Sequence, residues 1–136
     1  MRPTRRLLFT GALLLAALIA HAGAQPARVD PAQLMRDVEV LAADEMEGRL
    51  VGTPGSARAR AYIVRRFREA GIRPTGASYE HLFTLKRTGR AGSQQGVNVL
   101  AVVRGARTPG RYLVVTAHYD HLGVRDGRVY NGANDN

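Results

Sequence analysis

Apolar residues recur at helical spacing in the first folded stretch of the chain. Asp30 and Pro31 form a helix start, because aspartate is a good N-cap and proline is tolerated in the first turn. Gln33 follows the cap by three residues and can reach back to it. Three apolar residues then share one face: Leu34, Val38 and Leu41. This pattern predicts a helix that ends near Ala43, where an acidic stretch begins.

A second amphipathic pattern lies between a glycine-rich loop at residues 48–55 and Gly71. Ser56 is expected to cap this helix, and Gly71 followed by Pro74 is expected to end it. Four apolar residues form one stripe: Ala59, Ile63, Phe67 and Ala70. Arginines occupy the other faces, which indicates a solvated helix surface rather than a binding patch.

Three segments downstream have the composition of β-strands. Residues 79–85 predict a mixed edge strand, whereas residues 98–103 and 112–117 are short, β-branched apolar runs. The connection between the last two carries a proline-glycine turn signal and has the length of a hairpin loop. Residues 88–95 are polar and predict a loop. Two helices followed by such strands indicate an α/β domain in which the sheet has barely started.

The amino terminus has the layout of a cleaved signal peptide. Arginines precede an apolar run at residues 7–20, and small residues follow it up to Ala24. We therefore expect a signal peptide at residues 1–24 and a mature chain, residues 25–136, that is secreted or periplasmic. A retained membrane anchor is the alternative, but an apolar run of about 14 residues is short of the roughly 20 that span a bilayer. The arginine pair in the leader leaves twin-arginine export open beside the favoured general secretory route.

Composition narrows the class of protein. The 136 residues carry a formal net charge of +9, and loss of the three leader arginines leaves +6. A basic excess of this size suits nucleic-acid binding, but the arginines are scattered without interleaved aromatic residues, so no nucleic-acid partner is expected. The absence of cysteine excludes a disulfide framework, and the length allows one globular domain at most.

Residues that could bind a metal ion follow directly after the segment 112–117. His118 follows an apolar run, a position at which open α/β sheets bind ligands, and an imidazole nitrogen is a good zinc ligand. Asp120 lies on the same side of an extended backbone and can orient the imidazole through its second nitrogen. Asp135 follows a loop with an Asp-Gly turn signal, and its two carboxylate oxygens can bridge two cations. Spacing alone leaves another interpretation open, namely a surface histidine and an aspartate in a polar loop.

Two motifs at this site resemble peptidase family M28, a family of zinc metallopeptidases that includes bacterial aminopeptidases. They are AHYDHLG at residues 117–123 and YNGANDN at residues 130–136. The family pattern is His-x-Asp, a loop, and then Gly-Ala-Asp-Asp-Asn or a close variant. Two upstream motifs also resemble the amino-terminal segment of this family: MEGR at residues 46–49 and GTPG at residues 52–55.

The resemblance implies a three-layer α/β/α zinc-exopeptidase-like fold with a mixed sheet, present in residues 25–136 only as its amino-terminal part. It implies a secreted exopeptidase that hydrolyses peptide substrates with water on a dinuclear zinc site, with aminopeptidase activity favoured over carboxypeptidase or dipeptidase activity. His118 is then a terminal ligand of zinc, and Asp120 orients His118. Asp135 is the carboxylate that bridges both zinc ions.

The resemblance implies lesser roles for the other residues of the motifs. Asn134 replaces the commoner aspartate beside the bridging residue, at a position that is not a ligand in the family. His121 is common in relatives without being a ligand, and we expect it at the surface or at the rim of a pocket. The Glu-Gly-Arg element at residues 47–49 is expected to shape a turn rather than to take part in chemistry.

In the family, a Glu-Glu pair that provides the general base and a zinc ligand comes after these motifs, as do further Asp and His ligands. We therefore expect residues 25–136 alone to be inactive and not stably folded. On the same fold, a glutaminyl cyclase-like enzyme with one zinc ion or a homologue without metal remains an alternative. The M20 di-zinc enzymes also begin with His-x-Asp, but their next aspartate has a different context. A small secreted basic binding protein is the least favoured alternative.

Overall fold

The computed structural model describes residues 29–86 and 93–135, so the predicted signal peptide lies outside the described residues. Every element described below lies in one compact unit within residues 31–136. These elements are helix α1 (Pro31–Leu41), a 3₁₀ helix (Asp44–Arg49), helix α2 (Pro54–Glu69), and strands β1 (Arg73–Pro74), β2 (Glu80–Lys86), β3 (Ser93–Val99), β4 (Ala101–Val102), β5 (Gly123–Arg125) and β6 (Arg128–Tyr130). In the described ranges, no helix combines the length and the apolar character needed to cross a membrane.

Both predicted helices form, but the cap of the second lies elsewhere. Thr53, and not Ser56, is the N-cap of α2, with extended backbone angles (φ −97°, ψ 163°) and Oγ1 accepting from the Ser56 N–H at 3.3 Å. The physical reason is Pro54, whose fixed φ and missing N–H suit the first helical position, so that the residue before it, Thr53, is the cap. Gly71 has a φ of 68° just after the helix, as predicted for its end.

The buried face of α2 differs from the predicted stripe. Ala59 is fully buried, as expected, but Tyr62 and Val64 are buried as well, whereas Ala70 is exposed. Ala70 is exposed because it is the C-cap residue and lies beyond the last helical turn. In the described part of the chain no large apolar side chain is completely enclosed, so the core around α2 is shallow.

Helix α1 is bound to α2 by a partly buried network of hydrogen bonds and an ion pair around Asp37. The Tyr62 hydroxyl donates to Asp37 Oδ1 at 2.5 Å, Arg66 Nε donates to the same oxygen at 2.9 Å, and Gln33 Nε2 adds a third hydrogen bond at 2.9 Å. Burial acts to raise the pKa of Asp37, but these hydrogen bonds and the Arg66 charge outweigh it and hold the pKa below its ordinary value.

The main hairpin is formed by β2 and β3, which pair antiparallel from Glu80 opposite Val99 to Lys86 opposite Ser93. The edge strand predicted at residues 79–85 is therefore confirmed within one residue. The prediction of a loop at residues 88–95 is wrong for residues 93–95, because these polar residues pair with β2. They do so although they bury little surface. Strand identity here comes from cross-strand pairing rather than from apolar composition.

The segment 112–117 is not a strand in this structure, and the hairpin predicted between it and residues 98–103 does not form. The proline-glycine turn is present, closed by a hydrogen bond from the Arg111 N–H to the Thr108 oxygen at 3.0 Å. Instead, Ala101–Val102 pairs with Arg73–Pro74. A strand needs a paired neighbour, and no described segment pairs with residues 112–117, whose apolar side chains are exposed, Leu113 to 92%.

A tight hairpin, β5–β6, follows the His-Asp segment. Gly123 pairs with Tyr130 and Arg125 with Arg128, leaving a two-residue turn at Asp126-Gly127. Both turn residues have positive φ, 52° and 72°, as a type I′ turn requires and as the Asp-Gly signal indicates. The described residues thus form a mixed α/β structure with helices and small antiparallel sheets, which confirms the α/β class.

Candidate functional site

A left-handed turn at Glu47-Gly48-Arg49 lies against the β5–β6 hairpin. The three residues have φ values of 50°, 61° and 50°. A Cβ atom on Gly48 would lie 2.5 Å from the Gly123 oxygen and 2.6 Å from the Tyr130 oxygen, so only glycine allows this approach. The geometry of this element agrees with the prediction that it forms a turn. The turn places Arg49 at the base of the β5–β6 hairpin.

The Arg49 side chain is buried, with 6% of the residue exposed, and it binds main-chain oxygens. Its Nε donates to Tyr119 at 2.8 Å, its Nη1 to Asn131 at 2.7 Å and also to Leu41, and its Nη2 to Gly132 at 3.2 Å. One guanidinium therefore joins the end of α1 to the two segments that flank the hairpin. Sequence analysis did not identify this role, because the partners are distant in sequence and are carbonyl oxygens present at every residue.

Two further side chains hold the same flanking segments. Asn131 Nδ2 donates to the Ala42 oxygen at 2.7 Å and to Asp44 Oδ1 at 2.8 Å, which fastens the segment after β6 to the end of α1. The Tyr119 hydroxyl donates to the Val97 oxygen at 2.6 Å, which fastens the segment before β5 to β3. The loops that carry the candidate residues are thus attached to helix and strand scaffold on both sides.

His118 and Asp120 lie together, as their spacing predicts. His118 Nδ1 is 3.0 Å from the main-chain oxygen of Asp120 and 3.5 Å from its carboxylate Oδ1. A proton on Nδ1 is satisfied by either oxygen, which leaves the Nε2 lone pair directed away from Asp120. The His118 side chain is half exposed.

Asp135 reaches the same place from the other side of the hairpin. Its Oδ2 lies 3.8 Å from His118 Nε2 and 2.7 Å from His121 Nδ1. The His121 ring packs against Gly132, and its side chain is 15% exposed. Gly132 has no side chain and a φ of 60°, so the imidazole occupies the space a Cβ would fill.

A groove of about 1120 Å³ between α2 and β3 has His118 and Asp120 in its wall, whereas Asp135 does not line it. Ala133 belongs to the same wall. The rest is largely apolar and is lined in part by Ile63, Phe67, Phe83, Val97, Val99 and Val115. A few polar side chains in a largely apolar wall are the usual features of a binding cleft.

The spacing of His118 and Asp135 fits a shared cation. Two ligand atoms that each lie about 2.1 Å from one zinc ion can be at most about 4.2 Å apart, and these two are 3.8 Å apart. Within residues 29–86 and 93–135, however, no group of three or more His, Cys, Asp or Glu side chains is arranged to hold a metal. The described residues thus offer one pair of donors, and a complete coordination shell would need others.

The charge balance of the site includes Arg49. Burial lowers the pKa of its guanidinium, and the carboxylates of Asp135 and Asp120 oppose that shift because they favour the charged form. The site therefore places two carboxylates near one buried cation. This arrangement reduces the mutual repulsion of the carboxylates.

Comparison with known proteins concerns the part of the chain that contains this site. The family model for peptidase family M28 matches residues 98–136, a range that includes β5, β6 and the three candidate residues His118, Asp120 and Asp135. Neither the curated proteins nor the solved structures include a match to this chain. The segment 98–136 is thus similar to peptidase family M28.

Proposed function

We propose that this chain is part of a secreted zinc-dependent exopeptidase with a dinuclear site, and that its substrates are peptides with a free amino terminus. The family match supports peptide-bond hydrolysis in general. The zinc requirement, the aminopeptidase specificity and a three-layer α/β/α domain are parts of the proposal. No nucleic-acid partner is included in it.

One observation carries the proposal: His118 Nε2 faces Asp135 Oδ2 at 3.8 Å although 17 positions separate the two residues in the sequence. The hairpin β5–β6 brings them together, and both lie in the segment that matches the peptidase family. Arg49, Asn131 and Gly48 hold the loops that bear the two residues.

The residues of the chain have separate tasks in this proposal. Asp120 accepts a hydrogen bond from the Nδ1–H group of His118, which fixes the tautomer and leaves Nε2 as the atom that binds the metal. Asp135 has two oxygens, one directed toward His118 and one for a second ion. When bound, zinc supplies Lewis acidity that polarises the substrate carbonyl and lowers the pKa of water. The described residues offer only this pair, so we expect them to have no peptidase activity by themselves.

Secretion is proposed from the leader at residues 1–24. Mass spectrometry of the protein recovered outside the cytoplasm is expected to find Gln25 as the first residue. Recovery of a chain that still contains the leader would favour the membrane-anchor alternative.

The function is tested on the full-length protein by metal analysis and hydrolysis of aminoacyl amides. We expect two zinc ions per chain, loss of hydrolysis with a chelator and recovery on addition of zinc. Asp135→Ala is expected to lose zinc and activity, whereas Glu39→Ala, on the exposed face of α1, is expected to keep both. One zinc ion per chain would favour the cyclase-like alternative, and hydrolysis that survives both the chelator and Asp135→Ala would refute the proposal.

A further inference from the structure

We propose that Arg49 is a positioning residue that sets the separation of His118 and Asp135 by holding the two main-chain segments that bear them. The geometric claim rests on the contacts of Arg49 alone. Its consequence for metal affinity rests on the proposed function. No residue of the 47–49 turn has a chemical task in that function, so this role is additional to it.

The contacts of Arg49 use most of its capacity as a donor. A guanidinium has five N–H groups. Four are used here: one on Nε to Tyr119, two on Nη1 to Leu41 and Asn131, and one on Nη2 to Gly132. All acceptors are main-chain oxygens, so the contacts specify where the backbone lies rather than which side chains are present.

The acceptors lie where they control the candidate site. Tyr119 lies between His118 and Asp120, and Gly132 is three residues before Asp135. A rigid planar group that binds both carbonyls at 2.8 and 3.2 Å fixes the distance between the two segments. The main chain of Arg49 adds to this, because its own oxygen accepts from the His121 N–H at 3.4 Å.

Lysine cannot replace arginine in this role. An ammonium group has three donors at one point on a flexible stem, whereas these four acceptors lie around the edge of a planar fork. Arg49→Lys therefore keeps the positive charge beside Asp120 and Asp135 and removes the geometry. This variant separates positioning from simple charge compensation.

The test uses the full-length protein, with Arg49→Lys as the main variant and Arg65→Lys as its matched control. Arg65 is on α2, exposed, and paired with Glu69 at 3.6 Å. The first readout is the affinity for Co²⁺, measured from the visible absorption of the bound ion. We expect Arg49→Lys to weaken binding about 10- to 100-fold, the range found when groups that orient metal ligands are removed. We expect Arg65→Lys to bind as the parent protein does.

The second readout needs no metal. Hydrogen exchange of the metal-free protein is expected to accelerate in Arg49→Lys at residues 119–123 and 131–132, with the amides of α1 and α2 unchanged. A third variant, Arg49→Gly, suits the φ of 50° and leaves space for a free guanidinium ion. Millimolar guanidinium, too dilute to denature, is expected to restore a large part of its Co²⁺ affinity.

The outcomes separate this proposal from the proposed function. If the parent protein binds no metal but Arg49→Lys loosens both segments, the function fails and the positioning role stands. If Arg49→Lys keeps parental exchange and parental affinity, the positioning role is refuted and the function is unaffected. Loss of the whole fold in Arg49→Lys would also refute it, since Arg49 would then stabilise the protein rather than position the site.

Discussion

His121 Nδ1 lies 2.7 Å from Asp135 Oδ2, closer to that oxygen than His118 Nε2 is at 3.8 Å. The Asp135 carboxylate is therefore oriented by a neighbour before any ligand is bound. His121 itself is fixed by packing against Gly132 and by its main-chain bond to Arg49. His121 links the turn at residues 47–49, through its main-chain N–H, to the Asp135 carboxylate, through its imidazole.

This relationship predicts the effect of removing the imidazole. In His121→Ala the Asp135 carboxylate loses its orienting contact, and we expect the affinity of the full-length protein for zinc to fall about 10-fold. Isothermal titration with zinc measures it. His81→Ala is the control, because His81 lies on β2 and contacts Thr75 at 3.2 Å. An affinity equal to that of the parent protein would show that the contact with His121 has no part in metal binding.

Gly48 is expected to tolerate substitution poorly. Gly48→Ala places a Cβ 2.5 Å from the Gly123 oxygen in addition to adopting a φ of 61°. Gly71→Ala shares the positive φ, 68°, but its Cβ would meet open space. We expect Gly71→Ala to lower the free energy of unfolding by about 1–2 kcal/mol and Gly48→Ala to lower it by more. Urea unfolding of the two variants compares them, and equal losses would contradict the predicted clash.

The Asp37 network predicts a dependence of stability on acid. The folded pKa of Asp37 is below its ordinary value of 3.8, so the network contributes fully above that value. The contribution is lost as the pH falls through the folded pKa, because the unfolded state then binds the proton first. Urea unfolding from pH 5 downward is expected to show this loss in the parent protein and a smaller one in Asp37→Asn. If the free energy of unfolding fell equally with pH in the parent protein and in Asp37→Asn, the acid sensitivity would arise from other groups.

The exposed segment 112–115 predicts that residues 25–136, when produced alone, expose apolar surface and do not unfold cooperatively. Leu113 and Val115 are 92% and 86% exposed, and uncovered apolar surface of this kind binds hydrophobic dyes. We expect strong dye fluorescence and no cooperative transition in calorimetry. Leu113→Ser with Val115→Ser is expected to reduce the fluorescence. A sharp transition would contradict this expectation and would favour the small basic binding protein.

Local patterns predicted what local interactions determine. Helices α1 and α2 and the Asp126-Gly127 turn follow from capping residues, apolar spacing and glycine, all within a few positions of one another. The N-cap of α2 is Thr53 rather than the predicted Ser56, which lies three residues downstream. Proline between them decides which is used.

Non-local relationships could not be predicted in this way. Residues 112–117 have strand composition, yet a strand forms only where a partner is available. His118 and Asp120 were found from their spacing of two, but the convergence of Asp135 was implied by a family resemblance rather than by spacing. The role of Arg49 depends on carbonyls 70 to 83 residues away, for which an isolated sequence has no signal.

The central claim is that His118 and Asp135 bind one and the same ion. Anomalous diffraction at the zinc edge, on crystals of the full-length protein grown with zinc, measures this directly. The account predicts a peak about 2.0–2.2 Å from both His118 Nε2 and an Asp135 carboxylate oxygen. A zinc peak that touches neither residue, with the two side chains still ordered, would contradict it.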